Sequence, residues 1–371
     1  MLEKSSIPLP ETNGQVSQGT SDYKKFYISS LDGIRTIAFL LVFLNHAKVV
    51  NVIPGGFGVT IFFFLSGYLI TTLIRREYDR HQTLDFKLFY IRRVLRIWPS
   101  FYLVLFVGTA LTALGFLRGK IYLLGFLSQA LHFGNYYSIL TDSIGIAPGS
   151  GVYWSLAVEE HFYLFFPLLY VALRKLRINP GKQLLTILGL CLAVLVWRYI
   201  LVFDFGVPSS RVLYATDTRV DSILFGCALA VYNNPMLDAQ KYSNKLWKYF
   251  FFPAGIILIL FSLLYRSSDF QETFRYTIQG IGLYPVFFTA IRFSNWGLFP
   301  IINLNWVRFI GLLSYSLYLV HYIVLFGVWM YLPKLHRVTQ AGIALLISLG
   351  LAYTIYQLIE SPIGKLRKKL S

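Results

Sequence analysis

Charged side chains are scarce in this chain: they make up 14% of its 371 residues, against about a quarter in soluble domains. Hydrophobic residues reach 56% and the mean hydropathy is +0.58. These values exclude an ordinary soluble domain and indicate a membrane protein. Acidic residues are scarcer than basic ones, 17 against 34. Since the basic residues lie in short segments between apolar runs, the excess positive charge does not indicate nucleic-acid binding.

Cysteine is almost absent. Cys191 and Cys227 lie inside apolar runs, which predicts buried free thiols rather than a disulfide. The six histidines are scattered, and none stands at a recognised metal-ligand spacing from a carboxylate or thiol, so we expect no bound metal. Residues 1–25 are polar and contain no apolar signal-peptide core. Residues 1–28 are therefore predicted to form a disordered cytoplasmic tail.

Long apolar runs account for most of the remaining chain. A spanning helix needs about 20 mostly apolar residues, so the sequence predicts an all-α integral membrane protein with about ten transmembrane helices. The stretch 118–152 holds a shorter apolar piece and then "GNYYSILTDSIGIAPGSG", which is typical of a loop. The ten predicted spans are residues 34–53, 57–74, 97–117, 153–173, 184–203, 219–233, 249–265, 276–292, 309–332 and 340–359.

The distribution of basic residues predicts the orientation of these helices. With a cytoplasmic N-terminus, the inner segments hold 23 basic residues and the outer loops hold six. This asymmetry follows the positive-inside rule, and ten spans return the C-terminus to the cytoplasm. We therefore expect one transmembrane domain over residues 29–362 and a basic cytoplasmic tail over residues 363–371.

Two ionisable residues stand in the first apolar run, "GIRTIAFLLVFLNHAK". Arg35 and His46 are eleven residues apart, which places both on one helical face at an axial separation of about 16 Å. One interpretation is a snorkelling arginine and a structural histidine. The other is a functional site, which is the default for ionisable groups at membrane depth.

Other polar residues stand at the ends of later spans. Arg93 and Arg96, in "RRVLRIWPSFY", share a helical face and indicate either positive-inside anchoring or a site for phosphate groups. Glu159 and Glu160, in "WSLAVEEHFY", enter an apolar span, where a carboxylate is expected to meet a cation or a histidine.

A third polar group stands further along the chain. Asp217, Arg219 and Asp221, in "TDTRVDSILFG", form either an internal ion-pair cluster or part of a polar acceptor pocket. His321 lies mid-span, where packing or hydrogen bonding is favoured over catalysis, although it is a further candidate for the acceptor pocket.

These segments, in this order, resemble the acyltransferase family 3 membrane proteins. The resemblance covers residues 31 to 362 and rests on "LDGIRTIAFLLVFLNH", "FGVTIFFFLSGYLI", "RRVLRIWPSFY", "YWSLAVEEHFY", "TRVDSILFGCALA", "SYSLYLVH" and the closing "ESP". It implies a bacterial plasma-membrane enzyme that moves an acyl group, usually acetyl, from cytoplasmic acyl-CoA to an acceptor hydroxyl. The acceptor would be lipopolysaccharide, another surface glycan or its lipid-linked precursor. No permanently bound cofactor is implied, and the oligomeric state is not predicted.

The resemblance also assigns roles to residues. His46 becomes the catalytic base or a transient acyl carrier, and Glu159 the carboxylate that orients it. Arg93 and Arg96 become the donor's phosphate site, with Arg35 at its entrance. The chain has His161 where family members commonly have Gln. It also lacks the fused SGNH-type domain of some members, so we expect any such partner to be a separate chain.

Two other functions fit parts of the pattern. A macrolide or another small molecule could replace the glycan as acceptor, with the same chemistry. An exporter of an amphipathic solute would also need polar residues within its spans. Against the exporter stand the absence of a recognisable inverted repeat and the position of the arginine pair at one mouth only.

Overall fold

The structure is a computed structural model that describes residues 29–49 and 54–369. This part of the chain is helical and contains no strand. The long helices are α1 (Ser29–His46), α2 (Gly55–His81), α3 (Phe86–Ala113), α6 (Trp154–Lys175), α7 (Pro180–Tyr199), α9 (Thr216–Val231), α11 (Phe252–Leu264), α13 (Arg275–Arg292), α16 (Ser314–Tyr331) and α17 (Arg337–Ile355). The short ones are α4 (Leu123–Ala130), α5 (Gly134–Thr141), α8 (Ser209–Tyr214), α10 (Asn244–Leu246), α12 (Ser268–Thr273), α14 (Phe299–Ile302), α15 (Asn305–Leu312) and α18 (Ser361–Lys368).

The ten predicted spans correspond in position to the ten long helices. Seven helical segments in the described chain are long and apolar enough to cross a membrane, which confirms a multi-helix membrane protein. Helices α1, α9 and α13 are not among the seven. Ten spans with both termini in the cytoplasm therefore remain a prediction, and the predicted tail over residues 1–28 lies outside the described residues.

Helices α2 and α9 approach closely because glycines face each other. A Cβ atom on Gly67 would lie 1.9 Å from the backbone oxygen of Ile223, and one on Gly226 would lie 2.0 Å from that of Phe64. Small residues permit this kind of backbone contact between membrane helices. The contact fixes α2, which lines the site described below, to the interior of the bundle.

Gly226→Ala is therefore expected to destabilise the protein by about 1–3 kcal/mol, because α2 and α9 must separate to admit the methyl group. The measurement is the thermal unfolding midpoint in detergent. Gly350→Ala in α17 is the matched control, since a Cβ there meets no atom within 4 Å. Equal midpoints for the two variants would contradict this account of the α2–α9 contact.

The loop predicted after the third span is partly wrong. Residues Gly134–Thr141 form α5, and Ser150–Tyr153 form a 3₁₀ turn that leads into α6. The reason is tertiary: the side chain of Asn135 donates to the backbone oxygen of Tyr214 and to the hydroxyl of Thr216, both at 3.2 Å. Contacts with such a distant part of the chain hold a turn-rich sequence in helical form.

The two cysteines are free and buried, as predicted. A buried ion pair lies near Cys191: Arg198 on α7 donates to the carboxylate of Asp221 on α9 at 2.7 Å, and both side chains are fully buried. Arg198 also donates to the backbone oxygens of Thr273 and Thr218. These contacts hold α7 against α9 and leave the Asp221 carboxylate engaged in a structural network.

Candidate active site

An elongated cavity of about 1440 Å³ runs through one side of the bundle. Its walls come from α1, α2, α3, α6, α15, α16 and α18. Along α2 the lining extends from Val59 to His81, an axial distance of about 33 Å at 1.5 Å per residue. The length of the cavity along α2 is therefore comparable with the thickness of a membrane's hydrocarbon core, about 30 Å. A cavity of this length suits a long, thin ligand.

The cavity is strongly basic. Six Asp and Glu residues line it, against nine Arg and Lys residues. Two of the basic side chains are neutralised locally, since Arg35 pairs with Asp32 at 2.7 Å and Arg92 pairs with Glu77 at 2.6 Å. The surplus of positive charge favours an anionic ligand. The basic lining residues are Arg35, Arg76, Arg80, Arg92, Arg93, Arg96, Arg308, Lys365 and Arg367.

Arg93 and Arg96 both line this cavity from α3, as the sequence predicts for neighbours on one helical face. Neither forms an ion pair with a described residue. The Nε atom of Arg93 is buried without a hydrogen-bond partner, and its guanidinium lies 6.0 Å from the centre of the Tyr163 ring. Arg96 is exposed to the cavity. Two guanidinium groups held in this way have hydrogen-bond donors to offer an anion.

Glu159 lies in the same cavity but does not contact His46. Its carboxylate accepts a hydrogen bond from Tyr163 at 2.7 Å, and its charged neighbours include Arg96 and Arg35. No hydrogen bond joins Glu159 to His46 among the described residues, so the expected role of Glu159 in orienting His46 stays a prediction. The adjacent Glu160 also lines the cavity, and its Oε1 atom is buried without a partner.

Tyr318, Ser155 and Phe62 form a cluster in the cavity wall. The hydroxyl of Tyr318 on α16 lies 2.7 Å from that of Ser155 on α6, and it donates to the backbone oxygen of Val152 at 3.0 Å. The ring of Phe62 packs against Tyr318, with centroids 6.0 Å apart. Phe62, Ser155 and Tyr318 line the cavity, whereas His46 does not.

His46 lies outside the cavity lining and pairs with the second membrane histidine, His321. Its Nδ1 atom is 2.9 Å from Nε2 of His321, and the ring of Tyr322 stacks on it with centroids 4.4 Å apart. His321 is fully buried, and its ring centre is 5.6 Å from that of Tyr318. His46 itself is half-buried. The two histidines thus connect Tyr318, in the cavity wall, with the last turn of α1.

The partners of His321 determine which nitrogen of His46 is available. Nδ1 of His321 lies 2.8 Å from the backbone oxygen of Tyr318 and 3.1 Å from that of Leu317. Because a carbonyl oxygen only accepts, Nδ1 carries the proton, and Nε2 of a neutral His321 accepts. His46 must then donate from its own Nδ1. This leaves Nε2 of His46 with a lone pair and no hydrogen-bond partner among the described residues.

The remaining predicted acceptor-pocket residues take separate partners. Asp217 accepts from Arg211 and, at 2.6 Å, from the indole of Trp197. Arg219 is fully buried, lies over the Tyr276 ring at 3.8 Å and donates to the hydroxyl of Thr60 at 3.2 Å. Asp221 is bound to Arg198 and His321 to His46, so each of the four residues has its own partner and a shared acceptor pocket stays a prediction.

Comparison with known proteins assigns the chain to a family. Residues 28–357 match the sequence model of a family described as an acyltransferase domain. The chain belongs to this acyltransferase-3 family. No solved structure matches the chain significantly.

Curated relatives of this acyltransferase-family chain carry related names. Peptidoglycan O-acetyltransferase OatA of Listeria monocytogenes is 32% identical over 93% of this chain. A putative peptidoglycan O-acetyltransferase of Bacillus subtilis is 31% identical over 81% of it, and a putative O-acetyltransferase of Staphylococcus aureus is 31% identical over 94%. The aligned part covers only 57%, 49% and 59% of these three proteins, so the chain spans about half to three-fifths of their lengths.

Sequence reasoning missed two features of the candidate site. One is the direct contact between the two membrane histidines, which stand 275 residues apart in the chain. The other is the contribution of α18 to the cavity lining, from residues assigned to a cytoplasmic tail. The available signals were one histidine in each of two spans and an "ESP" segment followed by basic residues. Neither signal specifies a contact partner.

Proposed function

We propose that this chain is the membrane-embedded part of an O-acetyltransferase that takes acetyl groups from cytoplasmic acetyl-CoA and delivers them to a glycan hydroxyl across the membrane. The observation that carries the proposal is the basic cavity, whose lining residue Tyr318 packs against the His321–His46 pair. The family assignment and the O-acetyltransferase names of the relatives support the same chemistry.

Arg93 and Arg96 bind the donor in this proposal. Their guanidinium groups match phosphate oxygens in geometry and charge, and a slender pantetheine arm fits a cavity that follows α2 for about 33 Å. Glu159 acts as a positioning residue for this donor site, because Tyr163 holds its carboxylate and its charged neighbours include Arg96 and Arg35. Arg35 is therefore assigned to the wall of the donor site near Glu159, rather than to the entrance of that site.

His46 performs the proton transfer. Its Nε2 removes the proton of the acceptor hydroxyl while that oxygen attacks the thioester carbon, and the proton then passes to the departing CoA thiolate. His321 fixes the tautomer that exposes Nε2, as an orienting group does for other catalytic imidazoles. Since His46 does not line the cavity, the side chains between the cavity and His46, Tyr318 among them, must move for the thioester to reach the imidazole.

The acceptor is assigned to a peptidoglycan-type glycan at the outer face of a bacterial plasma membrane. This choice replaces the lipopolysaccharide expectation, because the relatives with a stated substrate are named for peptidoglycan. The basic segments that the sequence predicts to be cytoplasmic support a cytoplasmic position for the donor's phosphate site.

The experiment that tests the donor half is a thiol assay on the purified chain in detergent. Acetyl-CoA should release free CoA, faster when soluble peptidoglycan fragments are present, and mass spectrometry should find acetylated sugar. A macrolide in place of the fragments tests the small-molecule acceptor. Binding of acetyl-CoA without CoA release under any of these conditions would overturn the proposed activity.

Exchange of His321 for Phe is expected to lower kcat about ten- to hundredfold with little change in the KM for acetyl-CoA, the range typical for loss of an orienting partner. Phe retains a ring but gives Nδ1 of His46 no acceptor. His321→Gln restores an acceptor and should recover part of the loss. A Phe variant with normal kcat, or a Gln variant no better than Phe, would contradict the positioning role.

A further inference from the structure

Helix α18 is part of the cavity wall, although the proposed function gives it no role. A π-helical turn, Tyr356–Glu360, joins it to α17. It packs against α3, the helix that carries the arginine pair, and it contributes Lys365 and Arg367 to the cavity lining. A basic segment expected to be a free tail therefore lies beside the proposed phosphate site.

Arg367 is half-buried, and most of its charged neighbours are also positive. Its charged neighbours are Arg96, Arg92 and Glu360, and Arg92 is already paired with Glu77. Glu360, which also accepts a hydrogen bond from Ser316, is the one carboxylate among these neighbours. In the described chain no ion pair within 4.0 Å holds Arg367. Such an arrangement is relieved by an anion lying between α3 and α18.

The basic groups of the cavity lie on α1, α2, α3, α15 and α18, and those of α3 and α18 form two sets on helices that pack against each other. Coenzyme A carries its negative charge in two places as well: a pyrophosphate within the chain, and a separate phosphate monoester on the ribose 3′ carbon. We propose that Arg367 of α18 binds the ribose 3′-phosphate of the donor while Arg93 and Arg96 hold its pyrophosphate. This assignment rests on the proposed function, since it takes coenzyme A as the carrier of the acyl group.

The assignment makes α18 a specificity element. A donor that lacks the 3′-phosphate gives the Arg367 guanidinium no anion to bind. The pyrophosphate of that donor still contacts the arginines of α3. Wild-type chain should therefore bind CoA about ten- to hundredfold more tightly than 3′-dephospho-CoA, the range expected for loss of a charge-assisted hydrogen-bond pair. Removing Arg367 should abolish that preference without weakening the binding of 3′-dephospho-CoA.

Isothermal titration of the full chain in detergent with CoA and with 3′-dephospho-CoA tests this directly. Arg367→Gln should raise the Kd for CoA about tenfold or more and leave the Kd for 3′-dephospho-CoA unchanged. Arg367→Lys should keep part of the preference, because it retains a point charge. The matched control is Lys369→Gln, which removes one charge from an exposed position two residues away, outside the cavity lining.

The outcomes separate this inference from the proposed function. Equal binding of the two ligands by wild type, or an equal loss of both in Arg367→Gln, would overturn the role of α18 while leaving the transferase proposal intact. Absence of CoA binding by wild type would overturn both. If Arg367→Gln changed only the binding of phosphatidic acid micelles, α18 would be a lipid-headgroup site and the assignment would fail.

Discussion

His46→Gln is expected to reduce acetyl transfer about 10²- to 10⁴-fold, the usual contribution of a general base. Glutamine has a similar size and can still donate to Nε2 of His321, so the packing around α1 is preserved. It offers no lone pair comparable with that of imidazole Nε2 and cannot carry a proton. The KM for acetyl-CoA should change little, because the cavity lining does not include His46.

The measurement is the kcat for CoA release and for acetylated glycan, with the thermal unfolding midpoint recorded for the same sample. His336→Gln is the matched control, since His336 is exposed and lies at the N-terminus of α17. A folded His46→Gln protein with wild-type turnover would exclude the imidazole from the chemistry. Trapping of acetyl on His46 in a quenched reaction would instead identify it as the acyl carrier.

The double exchange Arg93→Gln/Arg96→Gln should raise the KM for acetyl-CoA about 10²- to 10⁴-fold, with a smaller effect on kcat. Each hydrogen bond from a charged group contributes about 1.5–3 kcal/mol, and neither arginine has an ion pair among the described residues to lose. Removing these side chains should therefore weaken donor binding rather than the fold.

The KM for acetyl-CoA and the unfolding midpoint are measured together for this variant. Arg96→Lys is a finer test, because a point charge retains attraction but loses the bidentate fork; its KM should lie between those of wild type and Arg96→Gln. Arg177→Gln, at a position outside the cavity lining, controls for the general loss of positive charge. An unchanged KM in the double variant would remove the phosphate-site assignment.

Much of the fold could be predicted from the sequence, because a bilayer restricts a chain to apolar helices of a given length. The ten apolar runs match the ten long helices in position, and the buried free thiols were predicted correctly. Helix α5 was missed, since its stability depends on the contact of Asn135 with residues about 80 positions away. Local turn preferences carry no information about such a contact.

The candidate site was predicted in part. The i,i+3 spacing of Arg93 and Arg96 places them on one helical face, and both line one cavity. The contact of His46 with His321 was not predicted, because spacing along separate helices does not reveal which helices pack together. In the structure α16 lies against α1 and delivers His321 to His46, while Glu159 on α6 faces the arginines.

The most direct test of the account is the sidedness of acetyl transfer in sealed vesicles that contain the chain. Radiolabelled acetyl-CoA is added outside, and peptidoglycan fragments are enclosed within. The account predicts labelled glycan inside the vesicles, released CoA outside, and neither product with His46→Gln. Acetyl label that appears only on glycan supplied outside, or CoA release that is independent of His46, would contradict transfer across the membrane through this site.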